Sequence, residues 1–396
     1  MSGVTGIGTT FNLPNYHGEL YALTPADTPL LSAAGGLGGG GQVTDTTIEW
    51  QKYDLRDPEI RARKEGDDAP TAEERVRGNV TNRVQIFHEQ VATSYTKQAA
   101  TGRYATVNGG AENPVTNEHS WQVMQALKQI ARDVNYSFWH AVRNDPSDNT
   151  TARQMAGLLS VMTSNAIDKK AKVTGASAAT DTITVTHDLV VDDKVVFTAV
   201  GVATAIKVNR AYWVVQNSTT ASFKVSATKG GSPIVIGTAS GLAFYPLKVA
   251  NVVGVDDVNG LLQSAFDNGG ITEQATATLF VPSGQKLALT KAFASAYGKA
   301  DPFAGTRDVG GVAMNTIVTD FGTLNISIDR ALPADAISVV SLEQIDPVFL
   351  NIPNKGVLFE EALAKTGSAD KSQIYGEIGL KYGNEASHGV LRGLFA

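Results

Sequence analysis

The side chains that could do chemistry in this sequence are histidines, paired carboxylates and one glycine pattern. The chain has six histidines, and none lies at metal-ligand spacing from another: His17, His88, His119, His140, His187 and His388. The pairs Asp67–Asp68 and Glu73–Glu74 could act as an acid and a base only inside a pocket, which a highly charged loop does not form. Gly36, Gly38 and Gly41 fit G-x-G-x-x-G, but no predicted strand precedes them and no helix follows. These residues therefore predict neither a metal site nor a dinucleotide site.

The motifs of nucleophilic and nucleotide-binding enzymes are also missing from the sequence. It contains no G-x-S-x-G nucleophile elbow and no Walker A sequence. His119 and His140 share one face of a predicted helix, but at helical rise they would lie some 30 Å apart. We therefore expect a protein that is not an enzyme and that carries no cofactor.

The composition indicates a large, mildly acidic protein without cysteine chemistry. The 396 residues include 33 Lys and Arg and 39 Asp and Glu, giving a net charge of −6, so we expect no extensive nucleic-acid-binding surface. Disulfides and thiolate metal sites are excluded, which suits a reducing cytoplasm. The first residues do not resemble a signal peptide, and no run of about 18 apolar residues predicts a membrane span.

The longest predicted element is a helix from Thr116 to Asp145. Thr116 or Asn117 would cap its start, where Glu118 complements the helix dipole, and Pro146 would end it. At ~1.5 Å per residue the helix would span roughly 45 Å. A long core helix has the same pattern, but β-rich arms on both sides favour a spine that other elements surround. Its predicted core face has apolar residues three or four apart: Trp121, Met124, Leu127, Ile130, Val134, Phe138 and Val142.

Two strand-like segments enclose a highly charged one. Residues 43–54 and 82–93 alternate polar with apolar or β-branched side chains, which predicts two paired strands. Between them, residues 54–77 hold eight acids and six bases in 24 residues, too polar to pack a core. The segment is either a disordered loop or the tip of a two-stranded arm whose mixed charges contact another copy of the chain. The predicted contact residues are Arg56, Asp57, Glu59, Arg61, Arg63, Lys64, Glu65, Asp67, Asp68, Glu73, Glu74, Arg75 and Arg77.

The remaining sequence predicts an α+β body with a β-rich insertion. Residues 1–42 end in a glycine run and are expected to form an extended arm that lies against a neighbouring subunit. Residues 152–167 predict a helix. Residues 172–248 predict a small β-sandwich or barrel with strands near 181–189, 193–199, 211–218, 222–231 and 232–239. Further helices are expected at 256–266 and 284–297, and strands at 277–283, 316–320, 324–328, 337–342 and 357–363, with two more near the C-terminus.

Four segments resemble, in order and spacing, the start of one class of tailed-phage major capsid proteins. They are LTPADTPLL at residues 23–31, IEWQKYDL at 48–55, EGDDAP at 65–70 and NRVQIF at 82–87. The class includes coat proteins of a podovirus group and of many phages of actinobacteria. The resemblance implies the Hong Kong-phage-type capsid fold, an α+β fold with an N-terminal arm, an extended β-hairpin loop, a peripheral domain with a spine helix, and an axial domain.

The resemblance also implies a domain for each part of the chain. Residues 1–42 would be the N-terminal arm and 43–93 the extended loop. The peripheral domain would comprise 94–150 and 310–396, and the axial domain 151–171 and 249–309. Residues 172–248 would form an inserted β-domain on the shell exterior.

The implied function is that of a structural subunit. Copies of the chain would assemble into hexamers and pentamers of an icosahedral head, inside the bacterial host cytoplasm, and enclose double-stranded DNA without sequence-specific binding. A portal and a decoration protein are candidate partners, and a separate scaffold protein is expected because no coiled-coil scaffolding region precedes the arm. The alternatives are an encapsulin-like shell that encloses an enzyme, a surface or adhesion protein whose β-domain binds carbohydrate, and a hydrolase with an unrecognised pocket.

Overall fold

A computed structural model describes residues 24–38, 40–56, 58–71, 74–99, 117–148, 150–169, 173–219, 221–247, 252–271, 277–296, 316–319, 321–365 and 367–394. In these ranges the helices are α1 (Pro29–Ala33), α2 (Tyr95–Ala99), α3 (Glu118–His140), α4 (Leu158–Val161), α5 (Val255–Asp267) and α6 (Ser283–Ala296). The strands of the first half are β1 (Gly41–Val43), β2 (Thr47–Tyr53), β3 (Arg77–Ser94), β4 (Ala166–Asp168), β5 (Val173–Ala179), β6 (Thr182–Thr184) and β7 (Lys194–Ala199). Those of the second half are β8 (Ala211–Thr219), β9 (Ser222–Ser226), β10 (Ala239–Leu247), β11 (Ala277–Val281), β12 (Thr316–Thr319), β13 (Gly322–Ile328), β14 (Ile337–Ser341), β15 (Asp346–Leu350), β16 (Leu358–Ala362), β17 (Ala369–Lys381) and β18 (Gly389–Arg392).

Some predictions concern residues outside the described ranges. They are those for residues 1–23, 39, 57, 72–73, 100–116, 149, 170–172, 220, 248–251, 272–276, 297–315, 320, 366 and 395–396.

Sheet A has the strand order β1-β15-β17-β3-β2, with β16 also paired to β17. The two alternating segments both contain strands, but their predicted pairing is confirmed only at the ends. The antiparallel β2–β3 ladder runs from Thr47↔Arg83 to Tyr53↔Arg77, so only residues 82 and 83 of the second segment pair with the first. Residues 84–94 of β3 pair instead with β17. Of the 18 residues of β3, residues 84–94 therefore belong to the body and residues 77–83 form one strand of the arm.

The predicted spine helix is α3, which packs on sheet A. Its start agrees with the sequence, since the side chain of Asn117 accepts a hydrogen bond from the amide of Ser120. The end of α3 differs from the predicted end at Asp145, because Ala141 is already extended, with ψ 139°. The carbonyl of Ala141 accepts a hydrogen bond from the amide of Gly157. At ~1.5 Å per residue the 23 residues of α3 span roughly 35 Å.

Two further helix predictions need correction. Residues 152–167 form only the four-residue α4 and part of β4. Gly157 breaks the pattern because its Cα lies against the end of α3, where a Cβ would come within 2.7 Å of the Ser137 carbonyl oxygen. In the expected extended arm, Pro29–Ala33 form α1, with proline in the first turn, where its missing amide costs nothing.

The β-rich insertion is a closed six-stranded barrel with the order β10-β5-β6-β9-β8-β7. This confirms an inserted β-domain, filled by its own core that includes Phe197, Phe223 and Phe244. The strand predicted at 232–239 is wrong, because the chain turns there and the amides of Ile236 and Gly237 both donate to the carbonyl of Thr180. Strand β5 was not predicted, since its sequence VTGASAA is poor in large β-forming residues.

Sheet B has the order β12-β13-β11-β14-β18-β4 and carries α5 and α6. The predicted helices at 256–266 and 284–297 and the predicted strands at 277–283, 316–320, 324–328 and 337–342 match elements here to within a few residues. The predicted domain boundary at residue 310 falls within this sheet, because β11 pairs with both β13 and β14. None of the helices in the described ranges is long and apolar enough to cross a membrane.

Candidate functional site: the hairpin arm and its base

The hairpin arm, residues 47–83, extends beyond the strands of sheet A that pair with β17. It consists of β2, the tip at residues 54–76 and the first seven residues of β3. At ~3.4 Å per residue those seven residues extend roughly 24 Å beyond the last pair with β17. An isolated two-stranded ribbon is marginally stable in water. The arm therefore needs either a firm base or a neighbour.

The charged tip residues that sequence analysis selected are exposed wherever the structure describes them. Glu59 lies 3.2 Å from Arg56 and 2.6 Å from Arg61, and Asp67 accepts a hydrogen bond from the amide of Lys64. Exposed ion pairs of this kind contribute about 0–1 kcal/mol. The tip is therefore not held in place by its own charges. The remaining exposed tip residues of the set are Arg63, Glu65, Asp68, Glu74, Arg75 and Arg77.

The tip and the adjoining end of β2 also expose large apolar side chains, which sequence analysis did not select. The exposed fractions are 71% for Tyr53, 67% for Leu55, 99% for Ile60 and 77% for Val76. Large exposed apolar groups on a projecting element are typical of interaction surfaces. Isolated apolar residues within a run of charges were the sequence signal for this feature.

Asn82 fixes β3 where the arm leaves the body. It is fully buried, and its Nδ2 donates to the carbonyl oxygens of Leu380 at 2.6 Å and Ala156 at 3.2 Å. Its Oδ1 accepts from the amides of Ala156 and Arg83, both at 2.8 Å. Both ends of one amide are thus used to join β3 to β17 and to the segment before α4.

Asp145 links two arginines at the same place. Its two carboxylate oxygens lie 2.6 Å from Nε of Arg83 and 2.6 Å from Nε of Arg143. Arg83 also donates to the hydroxyl of Thr47, and Arg143 to the carbonyl of Thr81. Burial favours a higher pKa for Asp145, but the hydrogen bonds from Arg143 and Arg83 outweigh it and hold that pKa below its usual value. Both strands of the arm are therefore tied to the chain that follows α3.

A third contact at the base involves Arg153. Its Nε donates to the carbonyl of Val84, and its guanidinium pairs with Glu377, which is 7% exposed. Tyr375 donates to the other oxygen of that carboxylate at 2.7 Å. Burial, assisted by the Glu377 carboxylate, raises the pKa of Tyr375 to about 12, so the phenol stays a donor. The sequence did not indicate these contacts, because Arg153 lies 69 residues from Val84 and 224 residues from Glu377.

The IEWQKYDL segment supplies the apolar part of the base. Ile48 is 4% exposed and packs with Val84 and Val348. Trp50 donates to the carbonyl of Gly383 at 2.8 Å and meets the ring of Tyr382 edge-on at 4.8 Å. One end of β2 is thus anchored while the other is exposed.

The predicted core face of α3 is buried only in part. Ile130, Val134 and Phe138 are buried, Trp121 and Leu127 are half-buried, and Val142 lies outside the helix with 66% of its surface exposed. Assigning Met124 to the core was wrong, since 57% of its surface is exposed. The reason is geometric: seven residues make nearly two full turns, so it is Val123 that aligns with Ile130.

The LTPADTPLL segment fastens the arm helix α1 to the spine. Leu30 and Leu31 are buried in the core that α3 shares with sheet A. The amide of Leu31 donates to the side chain of Asn135, which in turn contacts the buried carboxylate of Asp329. Sequence analysis identified the segment but not Asn135 or Asp329.

The five histidines in the described ranges have ordinary structural partners. His119 contacts Thr93, Ser372 and Glu360 at the start of α3. His388 is fully buried, and burial lowers its pKa. Within the described ranges, no three His, Asp or Glu side chains converge as metal ligands.

Comparison with known families decides what this architecture is. Residues 3–395 match the family described as SU10 major capsid protein. The chain belongs to the SU10 major capsid protein family. No curated protein matches the chain. The protein is therefore a structural subunit of a tailed-phage capsid shell and a component of the virion, not an enzyme.

Solved capsids share the fold of this SU10-family protein. The capsid of cyanophage A-1(L) aligns with a TM-score of 0.55 and 10% identity, over 96% of this chain and 97% of that one. A native GTA particle capsid gives 0.51 and 10%, over 100% and 99%. The capsid of cyanophage P-SCSP1u gives 0.50 and 11%, over 99% and 96%. The Hong Kong-phage-type capsid fold is thus confirmed, and the encapsulin-like, adhesion and hydrolase alternatives are less well supported.

Proposed function

We propose that the hairpin arm is the element by which one copy of this subunit holds the next in the shell. The observation that carries the proposal is the contrast between its two ends. The base is locked by the buried Asn82 and by the Arg153–Glu377 pair, whereas the tip leaves Ile60 almost wholly exposed. A fixed base keeps the tip in position for a neighbour at low entropic cost.

Apolar and charged tip residues have different roles in this contact. Burial of one isoleucine or leucine contributes about 1.5–3 kcal/mol, whereas an exposed ion pair contributes less than about 1 kcal/mol. Tyr53, Leu55, Ile60 and Val76 would therefore supply most of the affinity. The charged residues of the tip would select the register, because like charges that meet at an interface are costly.

The domains of the capsid fold can be assigned to the two sheets and the barrel. The peripheral domain would be sheet A with α3, and the axial domain would be built on sheet B with α5 and α6. The barrel would project from the shell exterior as an accessory domain. Copies would form the hexamers and pentamers of an icosahedral head, with the described α1 segment contributing the root of the N-terminal arm.

Further partners are inferred from the family role. A separate scaffold protein, a portal and a decoration protein would act with the shell during assembly in the bacterial host cytoplasm. The enclosed double-stranded DNA would be held without sequence-specific contacts, since the subunit has a net charge of −6 and DNA affinity scales with neutralising bases.

Shortening the arm tests its role directly. Replacing residues 54–76 by Asn-Gly would join Tyr53 to Arg77, which already face each other, through a two-residue turn. We expect a folded subunit that fails to close shells under electron microscopy. Closed particles of normal size from this chain would contradict the proposal.

A point substitution separates tip affinity from general solubility effects. Ile60→Asp places a charge where the neighbour would bury an apolar side chain and should abolish particles. Val202→Asp is the matched control, because Val202 is 78% exposed but lies on the barrel. Equal loss of particles in both variants would count against a specific contact at the tip.

A further inference from the structure

A continuous chain of hydrogen bonds runs from the N-terminal arm, through the spine helix, to the inserted barrel. It starts at the amide of Leu31 in α1, which donates to Oδ1 of Asn135 at 3.0 Å. Asn135 Nδ2 lies 3.3 Å from both carboxylate oxygens of Asp329. Trp139, one helical turn further along α3, donates its indole N–H to the same carboxylate at 2.8 Å.

The second half of this series of hydrogen bonds leads from Asp329 to the barrel. Asp329 accepts the amide of Ala331 at 2.8 Å, which fixes the turn after β13. The carbonyl of Ala331 then lies 2.5 Å from Nε2 of His140. A carbonyl only accepts, so Nε2 carries the proton and Nδ1 is left with a lone pair. Nδ2 of Asn209, in the loop between β7 and β8, donates to that Nδ1 at 2.7 Å.

The environment keeps His140 in the state that this arrangement needs. Burial lowers its pKa, against the opposing effects of the Ala331 carbonyl and the Asp329 carboxylate, so the ring is neutral near pH 7. The ring of Tyr136 packs on it at 4.3 Å between centroids. Asp329 itself is 1% exposed. This chain of hydrogen bonds, called the relay below, is therefore shielded from water at Asp329, where solvent does not readily replace its bonds, whereas His140 and Asn209 at its far end are half-buried.

We propose that these residues couple the arm to the barrel, so that anchoring α1 on the spine stabilises the docked position of the barrel and the reverse. Asp329 is the centre of the relay because it receives donors from α3 and from the turn that holds His140. A coupling between two sites is reciprocal in free energy. A change made in the barrel must therefore be measurable in the arm, about 180 residues earlier in the sequence.

The amide of Leu31 provides the readout, because it is itself the first donor of the relay. Asn209 has φ 58°, so Asn209→Gly removes its side chain without straining the backbone. In the full-length protein this substitution should speed hydrogen–deuterium exchange of residues 29–33 by about three- to ten-fold, as expected for couplings of this kind. Asp192→Gly is the matched control: Asp192 lies in the same barrel with φ 76°, and its side chain pairs with Lys229 rather than with the spine.

A second pair of variants tests whether Asp329 transmits the effect. Trp139→Phe removes one donor to Asp329 and keeps an aromatic ring against Phe280. As a single substitution, Trp139→Phe should speed exchange at residues 29–33. Adding Asn209→Gly to Trp139→Phe should then accelerate exchange by a smaller factor than Asn209→Gly does in the parent chain. Unchanged exchange in Asn209→Gly, equal acceleration in Asp192→Gly, or fully additive effects with Trp139→Phe would each overturn the relay. None of these outcomes depends on whether shells close.

Discussion

Asp335 is a carboxyl group held almost out of contact with water, and its replacement by asparagine tests what such burial costs this subunit. The residue is 4% exposed and lines a cavity of about 210 Å³ between the end of α3, the barrel and β18. Burial raises the pKa of Asp335 from 3.8 to about 6, although backbone amides and the nearby Arg392 act against the rise. Asparagine keeps the size and one acceptor but cannot ionise.

The magnitude follows from the difference between the two pKa values. A tenfold change in a binding constant corresponds to about 1.4 kcal/mol, so a rise from 3.8 to about 6 corresponds to roughly 3 kcal/mol. The sign is set by the folded state, which holds the proton more tightly than the unfolded chain. Stability from this group is thus fully present below pH 3.8 and is lost as the pH rises through about 6. Asp335→Asn should therefore raise the free energy of unfolding by up to about 3 kcal/mol at pH 7.5 and change it little below pH 3.8.

Urea unfolding of the unassembled subunit, at pH 7.5 and again below pH 3.8, measures the difference in unfolding free energy between Asp335→Asn and the parent. Asp148→Asn is the control, because that exposed carboxylate accepts from the hydroxyl and amide of Thr150 and has a lowered pKa. Its replacement should be neutral or slightly destabilising at pH 7.5. A variant Asp335→Asn that is no more stable than the parent at pH 7.5, or equally stabilised at both pH values, would refute the reasoning.

Three other predictions address the base, a buried histidine and the barrel. Asn82→Ala leaves buried partners at Leu380 and Ala156 unsatisfied, so urea unfolding should show a loss of about 2–4 kcal/mol. Burial lowers the pKa of His388 from 6.5, so stability is present above pH 6.5 and falls as the pH drops through 6.5 towards the folded value; urea unfolding of His388→Gln should show a weaker fall between pH 7.5 and 5.5. Excising residues 172–248 removes a barrel with its own core and should still permit particles under electron microscopy, whereas a well-folded subunit without particles would show that the barrel makes required contacts.

Local sequence patterns predicted the elements whose stability depends on near neighbours in the chain. The alternation at 43–54 and 82–93 predicted strands in both segments, although β2 pairs mainly with residues 77–81, which precede the second segment. Of the two predicted caps, Thr116 and Asn117, the second marks the start of α3. The end of α3 was missed because it is set by a distant glycine, Gly157, whose amide bonds the carbonyl of Ala141. The same contact removed the helix expected at 152–167. Tertiary contacts outweighed helical periodicity in both places.

In the candidate site, the sequence likewise indicated the tip of the arm but not its base. A dense run of charge identified the tip, because composition alone shows that such a segment cannot pack a core. The base could not be predicted, since Arg83 and Asp145 are 62 residues apart and Arg153 and Glu377 are 224 apart. No local pattern links residues at such separations. The exposed Ile60 was visible in the sequence, but its exposure became evident only once the tip was seen to lack any packing partner within the described chain.

The arm therefore has buried polar contacts at its base and exposed apolar side chains at its tip. Buried hydrogen-bonded networks such as those of Asn82 and Glu377 specify one geometry, because a shifted register would leave buried groups unpaired. In the proposed contact, apolar side chains such as Ile60 would tolerate small shifts in position, and their burial would be repeated in every subunit of the shell. If the arm acts as proposed, binding strengthens once several arms are engaged, because each added contact is made at the high effective concentration of an assembled neighbour.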